Sequence, residues 1–222
     1  MNWTLDHIVV GAESLEAGVA WCEATLGITP TAGGRHPLMS THNRVFAIGS
    51  DRFPRTYLEI IAIDPDAPPP GRTRWFDLDT PAMQAALRRG PGLIHWAARC
   101  ADLDAELAAL RAHGIERGEA LAAERPTPQG VLRWRIAVRP DGRRVAAGAL
   151  PTLIEWGAVH PTDSMAPSGI ALDELVLRGL PDAVVERLPS GVVHAADTGP
   201  ALQATLTTPR GTVVLGAVGT DA

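Results

Sequence analysis

The chain of 222 residues is predicted to adopt an α+β fold, in which paired β-α-β-β-β modules form a curved mixed sheet around a cup and a third, partial module follows. Three observations predict this. Leu5-Asp-His-Ile-Val-Val and Leu93-Ile-His-Trp-Ala-Ala read as one opening strand used twice, the signature of an internal repeat. Each histidine is followed eight positions later by a leucine at a helix start, Leu15 after Ser14 and Leu103 after Asp102. Strand-like apolar runs then follow each helix.

Taken in order, Leu15, Val19, Cys22 and Leu26 recur at helical spacing, as do Leu103, Leu107 and Leu110; Gly27-Ile28 and Gly114-Ile115 close the two helices. Arg44 to Ile48 and Tyr57 to Ile63 supply strands in the first copy, Val131 to Val138 and Leu150 to Trp156 in the second. Between the copies, Asp64-Pro65 and Pro68-Pro-Pro-Gly71 open a linker that carries a short helix. Thr80 is its N-cap, Pro81 its first residue, Arg88-Arg89 its last turn and Gly90-Pro91 its stop. Beyond Pro167 the third unit opens with Leu172-Asp173-Glu174, where the first reads Leu5-Asp6-His7; a short helix near Asp182 to Leu188 and strands near Val192, Leu202 and Val213 complete it. The expected boundaries are 1–64 for the first module, 65–92 for the linker, 93–160 for the second module and 161–222 for the partial third, packed on the same domain.

Composition excludes several classes. Hydrophobic residues make up 45% and charged residues 20%, which suits a folded globular chain rather than a disordered one. The net charge is −5 and the 20 basic residues are scattered arginines, so no patch suits a row of phosphates and no nucleic-acid partner is expected. No apolar stretch approaches the roughly 20 residues that span a bilayer, and Met1 to Thr4 lead straight into a strand; a cytoplasmic location and no membrane partner are expected. Cys22 and Cys100 are read as reduced thiols. Neither GxGxxG, GxxxxGK[ST] nor GxSxG is present, so neither a nucleotide cofactor nor serine hydrolysis is indicated.

Strand alternation places Leu5, His7 and Val9 on one face and Asp6, Ile8 and Val10 on the other, with one face lining the cup. The last strand of each copy carries one acid in an apolar run, Glu59 and Glu155. A carboxylate in such surroundings needs a metal or an ionic partner; for either glutamate the ionic alternative is a neighbouring arginine such as Arg133 or Arg135. His7, Glu59, His95 and Glu155 together offer two imidazoles and two carboxylates, a mixed nitrogen and oxygen donor set whose charge balances a divalent ion of Zn, Ni, Co, Mn or Fe type. Arg35, His36, His42 and Asn43, after the Gly33-Gly34 turn, are the candidate substrate-binding residues; the alternative is a loop stapled by its own hydrogen bonds. His113, His160 and His194 default to structural roles, and Trp96, Trp134 and Trp156 to the core, with one of them a candidate floor of the pocket.

These residues resemble the vicinal oxygen chelate superfamily, which includes glyoxalase I, extradiol dioxygenases and bleomycin resistance proteins. The segment Gly33 to Asn43 and the phrase Leu58-Glu-Ile-Ile-Ala-Ile-Asp-Pro65 are similar to a glyoxalase-like branch of it. The resemblance implies His7, Glu59, His95 and Glu155 as metal ligands, with Glu155 also the catalytic base. The expected function is a metal-dependent isomerase or lyase acting on a small oxygen-rich molecule through a metal-stabilised enolate or enediolate. The alternative is a metal-free binding or sequestration protein of the bleomycin-resistance type. A monomer or homodimer is expected.

Overall fold

The computed structural model describes residues 3–127 and 130–219; Met1 and Asn2, the first two residues of the run that leads into the opening strand, lie outside them. The first module runs β1 (Thr4–Gly11), α1 (Leu15–Thr25), β2 (Thr31–His36), β3 (Thr41–Ala47) and β4 (Tyr57–Ile63). After the linker helix α2 (Pro81–Arg89), the second runs β5 (Gly92–Arg99), α3 (Leu103–Ala112), β6 (Glu119–Thr127), β7 (Gly130–Val138) and β8 (Thr152–Trp156). All three helices start where their caps predict: the side chains of Ser14, Thr80 and Asp102 accept from the backbone N–H groups of Ala17, Met83 and Ala105. The Gly33-Gly34 pair is not a turn. It lies within β2, at a register irregularity between Ala32 and Arg35, and the chain reverses at residues 37–40 instead.

The strands form one eight-stranded mixed sheet in the order β2-β3-β4-β1-β5-β8-β7-β6, joined at its centre by the antiparallel pair β1 and β5. The predicted α+β fold class is therefore borne out as a curved half-barrel. A tail of β9 (Ala171–Leu177), α4 (Asp182–Val185), β10 (Val192–His194), β11 (Leu202–Thr208) and β12 (Gly211–Gly216) forms its own sheet, ordered β10-β9-β11-β12. In the first module the opening strand pairs with the last, β4, whereas here β9 sits between β10 and β11.

Two cores follow from the curvature. Leu5, Ile8, Val10, Leu58, Ile60 and Trp96 belong to the outer one, which also contains Cys22 of α1, Leu107 of α3 and Leu175 of the second sheet. Val9, Ile61, Ile94, Ala97, Ile136 and Ile154 line the concave side with Trp75, Phe76 and Leu78 of the linker. Among the described residues, no helix is long and apolar enough to cross a membrane.

The face assignment along β1 needs correction. Leu5 pairs with Ala98 and His7 with Ala97, so Asp6 is the extra residue of a β-bulge. The bulge turns Leu5 to the outer core with Ile8 and Val10, and brings Asp6 to the concave side beside His7 and Val9. β5 repeats the device: Val9 pairs with His95 and Val10 with Leu93, leaving Ile94 as the extra residue. Ile94 thus stands in the second module where Asp6 stands in the first.

Candidate functional site

Asp6 and His7, made neighbours on one face by the bulge, form the base of the site. Asp6 has no solvent exposure and accepts from His7 Nδ1 at 2.6 Å, His160 Nε2 at 3.0 Å and Trp156 Nε1 at 2.9 Å, with Arg99 Nη1 at 3.7 Å. Burial alone would raise its pKa; the hydrogen bonds from His160 and His7 and their charges outweigh it and hold Asp6 well below the usual carboxylate range. An ionised carboxylate only accepts, so the proton of His7 sits on Nδ1 and its Nε2 faces the cup. Tyr57 stacks on the ring at 4.6 Å between centroids and fixes its plane.

Opposite His7 Nε2, at 3.7 Å, is Glu59 Oε2. Glu59 Oε1 accepts from Asn43 Nδ2 at 2.6 Å and lies 3.8 Å from His36 Nε2. The orientation of the Asn43 amide is determined, because its Oδ1 accepts from Gly34 N at 2.6 Å and only the NH2 end can then face Glu59. Gly33 makes this possible: a Cβ there would overlap Asn43 Oδ1 and the Asn43 carbonyl. Burial pushes His36 down to about 4, so it is neutral at pH 7, with Nδ1 3.0 Å from Thr41 Oγ1.

These groups floor a cavity of about 50 Å³ walled by Trp75, Phe76, Trp134 and Trp156. It opens past Arg125, Leu132 and Pro161 into a groove of about 770 Å³ between β2, the β6–β7 edge and residues 159–166. Arg125 Nη1 has no hydrogen-bond partner among the described residues and lies over Gly34, where any side chain would displace it.

Of the predicted residues, His7, Glu59, His36 and Asn43 come together, and the rest do not. Glu155 faces the outer side, where its Oε2 accepts from Leu103 N at the start of α3 at 2.8 Å and lies 3.5 Å from Arg135 Nη1. The register explains why. Val9 pairs with Glu59 in the first module and Ala97 with Thr152 in the second, so the counterpart of Glu59 is Thr152, three residues from Glu155, and an odd offset reverses the face. The ionic alternative is the one realised for Glu155. His95 is on the concave side, but Phe76 packs on its ring at 4.8 Å, its Nε2 bonds Thr152 Oγ1 at 2.9 Å and its Nδ1 has no partner among the described residues. Burial, with Arg117 and Arg144 nearby, pushes His95 well below the usual histidine range. Arg35 and His42 turn toward Asp64, at 3.4 and 3.9 Å; neither lines the small cavity, but Arg35 lines the groove outside it.

The four predicted metal ligands therefore do not form a centre: a threonine replaces the second carboxylate and a buried arginine, Arg117, stands beside His95. Among the described residues, no group of three or more His, Cys, Asp or Glu side chains is arranged to hold a metal ion. Sequence reading missed Asp6, Arg125 and the Trp75-Phe76 pair. A signal for Asp6 was present, since Leu5 and Ile8, like Leu93 and Trp96, are apolar at an odd spacing that an unbroken strand cannot bury on one face. Of the tryptophans, Trp134 and Trp156 line the cavity while Trp96 is in the outer core.

A family model described as a glyoxalase-like domain matches residues 5–192. No curated protein matches the chain. Among solved structures, a hypothetical protein from Staphylococcus aureus is 12% identical, with 96% of this chain and 84% of that one covered at a TM-score of 0.58. A methylmalonyl-CoA epimerase of Streptomyces coelicolor in complex with 2-nitronate-propionyl-CoA is 22% identical, covering 72% and 99% at 0.43. The methylmalonyl-CoA epimerase from Mycobacterium tuberculosis is 17% identical, covering 69% and 86% at 0.40.

Proposed function

From the premise that the chain belongs to the glyoxalase-like domain family of the vicinal oxygen chelate superfamily, we propose that it is a small-molecule enzyme of isomerase or lyase type, in which His7 and Glu59 move a proton at carbon next to a carbonyl. The observation that carries this reading is the Asp6–His7 pair aimed at Glu59 on the floor of an aromatic-walled cavity. Asp6 fixes the tautomer of His7 and stabilises its protonated form, the role a carboxylate plays behind any histidine base. The cavity has room only for the reacting end of a substrate; the groove outside takes its body. Asn43 holds Glu59 in place, and the Arg125 guanidinium at the mouth suits an oxygen that gains negative charge as the proton leaves. The donor set of His7, Glu59, His95 and Glu155 does not fit a metal, since Glu155 faces α3 and His95 bonds Thr152, so the proton moves between His7 or Glu59 and the substrate.

The test is deuterium uptake by a panel of small α-keto and α-hydroxy compounds and thiohemiacetals, with chelator-treated protein. Exchange by the wild type, reduced by a factor of about 10²–10⁴ in His7→Gln, is the expected result. The tryptophan walls favour a second reading, capture of a flat apolar ligand. Tight ligand binding unchanged in His7→Gln, without exchange of any compound, replaces catalysis by sequestration.

A further inference from the structure

Behind Phe76, the second half of the cup holds a cluster that the acid–base reading does not use. Arg117 is 3% exposed, yet among the described residues no carboxylate contacts it and its Nε and Nη1 have no hydrogen-bond partner; its Nη2 lies 3.5 Å from Thr152 Oγ1. The Nδ1 atom of His95, on the neighbouring strand, is equally unpartnered. Beside them is a cavity of about 20 Å³, lined also by Arg139, Arg143 and Arg144 and, among the described residues, by no acidic one. Arg139 directs its charge to Asp141 at 2.6 Å and Arg144 to Asp77 at 2.8 Å, both outside the lining. Of the arginines in this lining, Arg117 is the buried one with no carboxylate in contact among the described residues, Asp141 acting on it only from a distance, a costly state for a guanidinium. Burial, with Arg139 nearby, pushes it down to about 10, which still leaves it charged at neutral pH.

We propose that this pocket binds a small monovalent anion on the Arg117 guanidinium, either a free halide or the carboxylate of a larger ligand. The free space matches a single water-sized occupant. An anion there supplies the missing counter-charge and accepts from the two orphaned Arg117 donors, which a neutral occupant does only in part. Arg143, exposed at the rim, provides positive charge on the entry side. The inference stands apart from proton transfer at His7, so His7→Gln is expected to keep the anion response.

Thermal melting of the full chain, in a buffer whose only anion is a bulky sulfonate, tests it. Sodium chloride and sodium acetate are titrated separately at constant ionic strength. A saturable rise in Tm of about 5–10 °C at a hundredfold excess over Kd is expected. Response to chloride alone identifies a free halide site; a tighter response to acetate identifies a carboxylate subsite. Arg117→Met is expected to melt above the wild type in the anion-free buffer and to lose the response. A wild type that responds to neither anion, or an Arg117→Met that responds as the wild type does, overturns the proposal. Should that variant not fold, anomalous scattering from bromide in wild-type crystals decides: a peak at Arg117 supports the site and its absence removes it.

Discussion

Replacing Asp6 by asparagine keeps the shape of a fully buried side chain while removing the charge that organises two histidines, a tryptophan and an arginine. Asparagine still offers one acceptor oxygen, but its NH2 then faces an N–H donor where the carboxylate offered a second acceptor. Each hydrogen bond to the charged group contributes about 1.5–3 kcal/mol and a broken buried pair costs about 3–5 kcal/mol. Because the amide oxygen keeps only the bonds made at one of the two carboxylate oxygens, we expect a loss of about 3–5 kcal/mol at pH 7, a fall in Tm of about 6–20 °C for a chain of this size. The pH dependence has a definite sign. The folded-state pKa of Asp6 lies below its ordinary 3.8, so its contribution is complete above about pH 4 and declines as the pH falls below that value toward the depressed one. The gap between wild type and Asp6→Asn should therefore narrow from pH 4 to pH 2. Urea unfolding at several pH values measures it. A variant within about 1 kcal/mol of the wild type at pH 7, or a gap that does not narrow in acid, would refute the account of Asp6 as an ionised anchor.

Gly33→Ala should destabilise the fold by about 1–3 kcal/mol and displace Asn43, since its Cβ overlaps the Asn43 side chain and backbone; amide shifts of Asn43 and Gly34 in NMR spectra report the displacement. Glu155→Gln should cost about 0.5–2 kcal/mol, through its contacts at the start of α3 and with Arg135, and leave ligand binding in the cup unchanged; a change in that binding would return Glu155 to the site. His36, pushed down to about 4 by burial from an ordinary 6.5, should stay neutral in ring NMR titrations down to about pH 5, and its contribution to stability should weaken as the pH falls below 6.5, because the unfolded chain takes up the proton first. Burial pushes both cysteine thiols up to about 12, so neither should react with thiol reagents at pH 8 in the native protein, and both should in urea.

The sequence by itself determined what depends on local chemistry and on apolar periodicity. Ser14, Thr80 and Asp102 cap the helices they were assigned, because a cap is a contact over three residues. The repeat of Leu5 to Val10 in Leu93 to Ala98 announced paired modules, and the pairing of β1 with β5 realises it. His7 and Glu59 stood out as polar groups inside apolar runs, which need partners, and His36 and Asn43 as polar groups after Gly33-Gly34; the fold brings these four side chains together. What only the tertiary structure decided was which face each side chain takes. Side chains alternate with a period of two, so one inserted residue reverses everything on one side of it. The bulge at Asp6 turned a residue read as facing away into the anchor of His7, and the same bulge at Ile94 gave His95 no such anchor. A three-residue misalignment of β8 exchanged Thr152 for Glu155 in the presumed metal set. A bulge leaves only an odd apolar spacing such as Leu5 to Ile8, and a register leaves no mark on composition or local propensity, since both are fixed by the hydrogen bonds of the neighbouring strand, which lies up to about a hundred residues away in the chain.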